Sequence, residues 1–121
     1  MTDCIFCQIV ARKSPAKFVS STPDAITIHP LNPVTVGHLI VIPTKHVADF
    51  TTDPDVSALA MREAANVAAI YGYPCNIITS KGREATQSVF HLHLHIVPRA
   101  ENDGLALPWC SGKSKRSGGA A

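Results

Sequence analysis

The sequence predicts an α+β domain: an antiparallel sheet of five strands with one long helix and a short helix at the start. Three observations carry this. Residues 91–96 alternate strictly, with histidine at 91, 93 and 95 and apolar residues at 92, 94 and 96, which is the period of a strand with one face in a core. Residues 54–71 instead repeat apolar positions at three- and four-residue spacing, the period of a helix. The strand segments do not alternate with helices, which favours an antiparallel sheet over a doubly wound parallel one.

Taken in order, Cys4-Ile5-Phe6-Cys7 leads into a short helical turn over Gln8–Ala11, stopped at Ser14-Pro15. Lys17–Ser20 reads as a first strand and Ala25–His29, rich in β-branched residues, as a second. A loop with two prolines, closed by Gly37, precedes His38–Ile42. The continuous apolar run of that third strand predicts burial on both faces. Thr51 to Asp53 offers caps before Pro54, a favoured first helical residue. Val56, Leu59, Ala60, Ala64, Val67, Ala68 and Tyr71 form the helix's apolar face, and Gly72 is its stop. Asn76–Thr79 is the fourth strand, Ser80–Thr86 a loop, and the histidine segment the fifth strand. One domain over 1–110 and a disordered tail over 111–121, rich in glycine, serine and lysine, complete the expectation.

The chain has 121 residues, a net charge of +2 and 45% hydrophobic residues. That is enough apolar matter for one core and too little positive charge to argue for a nucleic-acid surface. Met1-Thr2-Asp3-Cys4 has neither the basic nor the apolar part of a signal peptide, and no apolar run approaches a membrane span of ~20 residues. The expectation is a cytoplasmic protein with no membrane partner, whose cysteines are thiols or metal ligands rather than disulfides.

Three imidazoles on one strand face are hard to explain as packing, because histidine is costly to bury without partners. Imidazole near neutral pH can be a nucleophile, an acid or base, a metal ligand or a phosphate donor. Cys4-x-x-Cys7 is half of a zinc site, a redox pair or coincidence. A redox pair would sit near a βαβ pattern, which is missing. Cys75 and Cys110 read as a core thiol and a tail thiol, and spacing argues no role for His29 or His38.

His91-Leu92-His93-Leu94-His95-Ile96-Val97, with Gln87-Ser88 upstream, resembles the signature of the histidine triad (HIT) family of nucleotide hydrolases and transferases. Cys4-Ile5-Phe6-Cys7, Asn32-Pro33-Val34 with Gly37-His38, and Ile42-Pro43-Thr44-Lys45-His46-Val47 extend the likeness up to Trp109. It is greatest to the compact bacterial and phage type with a zinc-binding entry segment.

The resemblance implies a HIT-like fold and attack by His93 on the α-phosphorus of a nucleoside phosphate derivative, such as an AMP-amidate or dinucleoside polyphosphate, through a covalent nucleotidyl-histidine. It implies phosphate or leaving-group contacts from His95, Ser88 and Gln87; for the last two, turn capping is the other reading. It also implies a structural zinc held by Cys4, Cys7, His46 and His91, and a homodimer. Two departures stand out. Pro30, after His29, occupies the place where many members carry a ribose-binding aspartate, and Ser80 that of a common asparagine. A non-catalytic, zinc-stabilised nucleotide-binding module and a metalloenzyme with zinc on His91, His93 and His95 are the competing readings.

Overall fold

A computed structural model describes residues 4–110, so the expected tail over 111–121 lies outside the described residues. The elements follow the order α1 (Ile5–Val10), β1 (Phe18–Ser21), β2 (Ala25–Ile28), β3 (Leu39–Pro43), α2 (Pro54–Tyr71), β4 (Cys75–Ile78) and β5 (Leu94–Pro98), with single 3-10 turns at Arg83–Ala85 and Pro108–Cys110. The strands form one five-stranded sheet in the order β1-β2-β3-β5-β4, every pair antiparallel.

The sheet separates two apolar layers. On one side α2 lays Val56, Ala60, Ala64 and Val67 on Leu39, Val41, Leu94 and Ile96. Alanine at the helix centre lets backbone and sheet approach closely. On the other side α1 lays Phe6 and Ile9 on Ile26, Ile28, Ile40 and Ile42. Strands β2 and β3 are buried along their whole length, as the unbroken apolar run of β3 requires. Asp53 caps α2 by accepting from the Asp55 N–H, Pro54 opens it, and Gly72 ends it in the left-handed region at φ 79°. Leu59 and Tyr71, expected on the buried face of α2, are exposed; they sit on the margin of the stripe, beyond the reach of the sheet.

The fifth strand begins later than its alternation suggests. β5 covers Leu94–Pro98, so of the three histidines only His95 lies within it. The pairing of β3 with β5 ends at Val41 opposite Leu94, and Pro43, at the end of β3, has no N–H to extend it. Side chains and another loop take over the backbone groups: Thr79 Oγ1 donates to the His93 carbonyl at 2.7 Å, and the Leu92 N–H donates to the Val47 carbonyl at 2.8 Å. The alternation nonetheless persists through residues 91–96. Leu92, Leu94 and Ile96 all join the layer beneath α2.

Candidate active site and metal centre

His93 and His95 project from the sheet face opposite α2, their ring centroids 5.1 Å apart. They open onto a cleft of about 1250 Å³ whose walls include Phe6 of α1, His29 and Pro30 after β2, and Ser88 of the preceding loop. The edge of Phe6 packs on His93, with centroids 4.9 Å apart and planes at 73°.

The hydrogen bonds assign a tautomer to each ring. A backbone carbonyl can only accept, so His93 Nδ1 carries the hydrogen and donates to the His91 carbonyl at 2.7 Å. Its Nε2 therefore holds a lone pair. At His95 the order is reversed. The Val34 N–H can only donate, and it gives its hydrogen to His38 Nδ1 at 3.1 Å. His38 then bears its hydrogen on Nε2 and donates to His95 Nδ1 at 2.9 Å. His95 Nδ1 is thus an acceptor, and its hydrogen sits on Nε2. Two neighbouring imidazoles on one cleft wall consequently offer opposite groups, a lone pair at His93 and a donor N–H at His95. Burial disfavours the charged form of both rings: it lowers the pKa of His93, and at His95 burial, with the nearby His93 and His38, pushes it down to about 4.

His38 is the residue in contact with the histidine pair that spacing alone did not single out. It is buried, and the signal for it was its alternation with Ile40 and Ile42, which places it on the α1 face. Ile40 pairs with His95 across β3 and β5, so a residue two before Ile40 lies beside that ring. Gly37 makes the turn that delivers it. Its φ is 88°, and a Cβ there would lie 2.8 Å from the Tyr73 hydroxyl.

The other expected site residues divide. Ser88 is exposed on the cleft wall. Gln87 also borders the cleft but is buried, and its amide is committed to backbone: Nε2 donates to Ala48 and Val89 carbonyls at 2.7 and 3.1 Å, and Oε1 accepts from the Gly82 N–H at 2.8 Å. Both amide hydrogens are used, so Gln87 braces the loop that carries Ser88, as turn capping requires.

Cys4, Cys7, His46 and His91 converge so closely that their ligand atoms all lie within 4.8 Å of one another, and this cluster could hold a metal ion. Cys4 caps α1 and Cys7 sits one turn on, its N–H donating to Cys4 Sγ. His91 Nδ1 is 3.4 and 3.5 Å from the two sulfurs and 3.0 Å from His46 Nδ1, and His46 Nδ1 is 3.2 Å from Cys7 Sγ. His91 Nε2 donates to the Pro43 carbonyl at 2.9 Å, which leaves the Nδ1 lone pair facing the cluster. His91 is fully buried there, and burial lowers its pKa. Its ring and those of His93 and His95 therefore serve separate sites. That separation removes the geometric basis for one metal held by all three.

A sheet that sets two neighbouring histidines of opposite tautomer beside a Cys/His cluster is the arrangement of a histidine-triad protein. The HIT domain family matches residues 11–102, and the chain belongs to the HIT family. An uncharacterised HIT-like protein of Methanocaldococcus jannaschii is 36% identical over 106 residues, covering 84% of this chain and 82% of that protein. The adenylylsulfatase HINT3 of Arabidopsis thaliana is 32% identical over 120 residues, covering 94% of this chain and 59% of its own length. Among solved structures, a zinc-bound histidine triad family protein from Mycobacterium smegmatis superposes with a TM-score of 0.78 at 34% identity, covering 86% of this chain and 80% of that one.

Proposed function

We propose that this protein is a nucleotide hydrolase or nucleotidyl transferase that acts at the α-phosphorus of nucleoside phosphate derivatives through a covalent nucleotidyl-His93. The observation that carries the reading is the opposition of tautomers at His93 and His95. The His93 Nε2 lone pair attacks phosphorus. The N–P bond forms as the bond to the leaving group breaks, and that group departs with the electron pair and takes a proton from solvent. The His95 Nε2–H donates to a phosphate oxygen and stabilises the charge that accumulates on it. Ser88, at the same wall, donates its hydroxyl toward the phosphate or leaving group. Water, or another acceptor, then attacks the adduct and releases a proton; the N–P bond breaks and its pair returns to Nε2. Throughout, Nδ1–H stays on the His91 carbonyl, which stabilises the positive ring of the adduct and keeps the nucleophile aimed. The adenylylsulfatase among the relatives supports a nucleoside phosphate as substrate.

The Cys4, Cys7, His46 and His91 set fits zinc. With ordinary Zn–S and Zn–N bonds, the edges of a tetrahedral site are roughly 3.3–3.8 Å; the separations of 3.0, 3.2, 3.4 and 3.5 Å between His91, His46 and the two sulfurs are close to this, and the whole set lies within 4.8 Å. Four protein ligands leave no open position, so the ion is structural: it would bind α1 to the segment carrying His93. A two-fold homodimer in the cytoplasm completes the proposal.

The test is intact-protein mass spectrometry of enzyme quenched during turnover of an AMP-amidate. A mass increase of one AMP on the wild type, absent in His93→Ala, is the expected result, with turnover of the variant reduced by about 10⁴-fold or more. A folded His93→Ala protein with activity within about tenfold of wild type would remove the assignment.

A further inference from the structure

The far end of the cleft carries a charge arrangement that the chemistry at His93 does not use. Across the sheet, Ile28 of β2 lies opposite Ile40 of β3, and Ile40 lies opposite His95 of β5. His29 follows Ile28 and donates its backbone N–H to the Lys17 carbonyl at 3.0 Å, so the two backbones are paired just past the end of that row. Both line the cleft. Strands are spaced ~4.8 Å apart, which sets β2 roughly 10 Å and β1 roughly 14 Å from His95. At that distance the two strands lie beyond an α-phosphate held at His95, so an anion bound there by Lys17 and His29 would belong to another part of the nucleotide.

Neither is neutralised. The ion pairs among the described residues join Lys45 to Asp53 and Arg99 to Asp103, and no described aspartate or glutamate lines the cleft. Pro30, next to His29 on the cleft wall, has a side chain that can neither accept from a ribose diol nor repel an anion. An ammonium without a carboxylate partner and an imidazole on paired stretches of backbone, both lining a cleft without described carboxylates, make a site for negative charge.

We propose that the cleft accepts nucleotides carrying a second phosphate on the ribose, held by Lys17 and His29, and prefers them to the corresponding monophosphates. The inference rests on the reading of the cleft as a nucleotide site and names the substrate class within it.

The experiment is calorimetric titration of the full chain with AMP, adenosine 3′,5′-bisphosphate and adenosine 2′,5′-bisphosphate at low salt. At least one bisphosphate is expected to bind about tenfold more tightly than AMP, and the isomer that gains locates the second phosphate. That ratio should fall about tenfold in Lys17→Glu, and less in His29→Leu. Pro30→Asp should lower it too, by placing a carboxylate against the second phosphate. Equal or weaker binding of both bisphosphates by the wild type, or an advantage that survives Lys17→Glu, overturns the proposal. Lys17 is exposed, so its replacement leaves the core intact. Adduct formation from the AMP-amidate is scored in parallel. An adduct without bisphosphate preference overturns this inference alone, and the preference without an adduct overturns only the covalent chemistry.

Discussion

Replacing His38 tests whether the catalytic donor is set from a distance. In His38→Leu, His95 Nδ1 loses the 2.9 Å hydrogen bond that makes it an acceptor, and the Val34 N–H loses its partner. His95 can then carry its hydrogen on Nδ1, which takes it away from the nitrogen that faces phosphate. A partly buried group left without its partner costs about 1–3 kcal/mol. At 1.36 kcal/mol per decade this lowers kcat/KM by roughly 5- to 150-fold. The nucleophile keeps its own hydrogen bond to the His91 carbonyl, so the adduct should still form, only more slowly. His38→Gln is the control: its amide N–H can reach His95 Nδ1, and it should keep activity within about fivefold of wild type, the lower edge of that range. Rapid-quench measurement of adduct formation, with circular dichroism to check the fold, reads all three proteins. A folded His38→Leu enzyme with unaltered kcat/KM, or a His38→Gln enzyme as slow as His38→Leu, would refute the tautomer argument.

Two further outcomes follow from the same geometry. A strong chelator should lower the melting temperature and raise amide exchange first in α1, because metal-binding free energy at Cys4, Cys7, His46 and His91 becomes folding free energy; purified protein that contains no metal and melts unchanged with chelator would remove the metal centre. His95 has a pKa of about 4 in the folded chain, below the usual histidine value of 6.5, so the unfolded chain binds more protons between these values. Its contribution to stability is complete above pH 6.5 and is lost as pH falls through that window toward 4. The melting temperature should therefore drop from pH 6.5 to 4, and less steeply in His95→Gln, which replaces the titrating ring; equal slopes for the two proteins would contradict the assignment.

Much of this fold was legible because periodicity reports burial directly. Leu92, Leu94 and Ile96 turn to the core as their alternation requires, and Asp53, Pro54 and Gly72 bound α2 because capping is a local property of the chain. What periodicity could not report was hydrogen-bond pairing between distant segments. The start of β5 was misplaced because a side chain of Thr79 and a carbonyl of the loop after β3 substitute for ladder bonds near residues 92 and 93. Gln87 resembled a ligand-contacting amide, yet its partners Ala48 and Gly82 come from two different loops. Leu59 and Tyr71 continued a helical spacing whose outer members found no sheet to cover them. The metal cluster was legible only through resemblance, since Cys-x-x-Cys alone does not choose the histidines that complete it.

The two imidazoles proposed for catalysis differ in how the chain specifies them. His93 takes its tautomer from a carbonyl two residues back, so a short stretch of sequence carries that decision. His95 takes its tautomer from His38, 57 residues away, through a contact that exists only if β3 and β5 keep their register. A slip of one residue in a strand turns every side chain to the opposite face. Here it would bring His95 under α2 and expose Leu94 and Ile96 to the cleft. The register that buries Leu94 and Ile96 is thus the one that sets His95 beside His38. Hydrophobic burial, strong and without direction of its own, selects the strand pairing; that pairing delivers the donor hydrogen to the His95 nitrogen that the proposed phosphate chemistry requires.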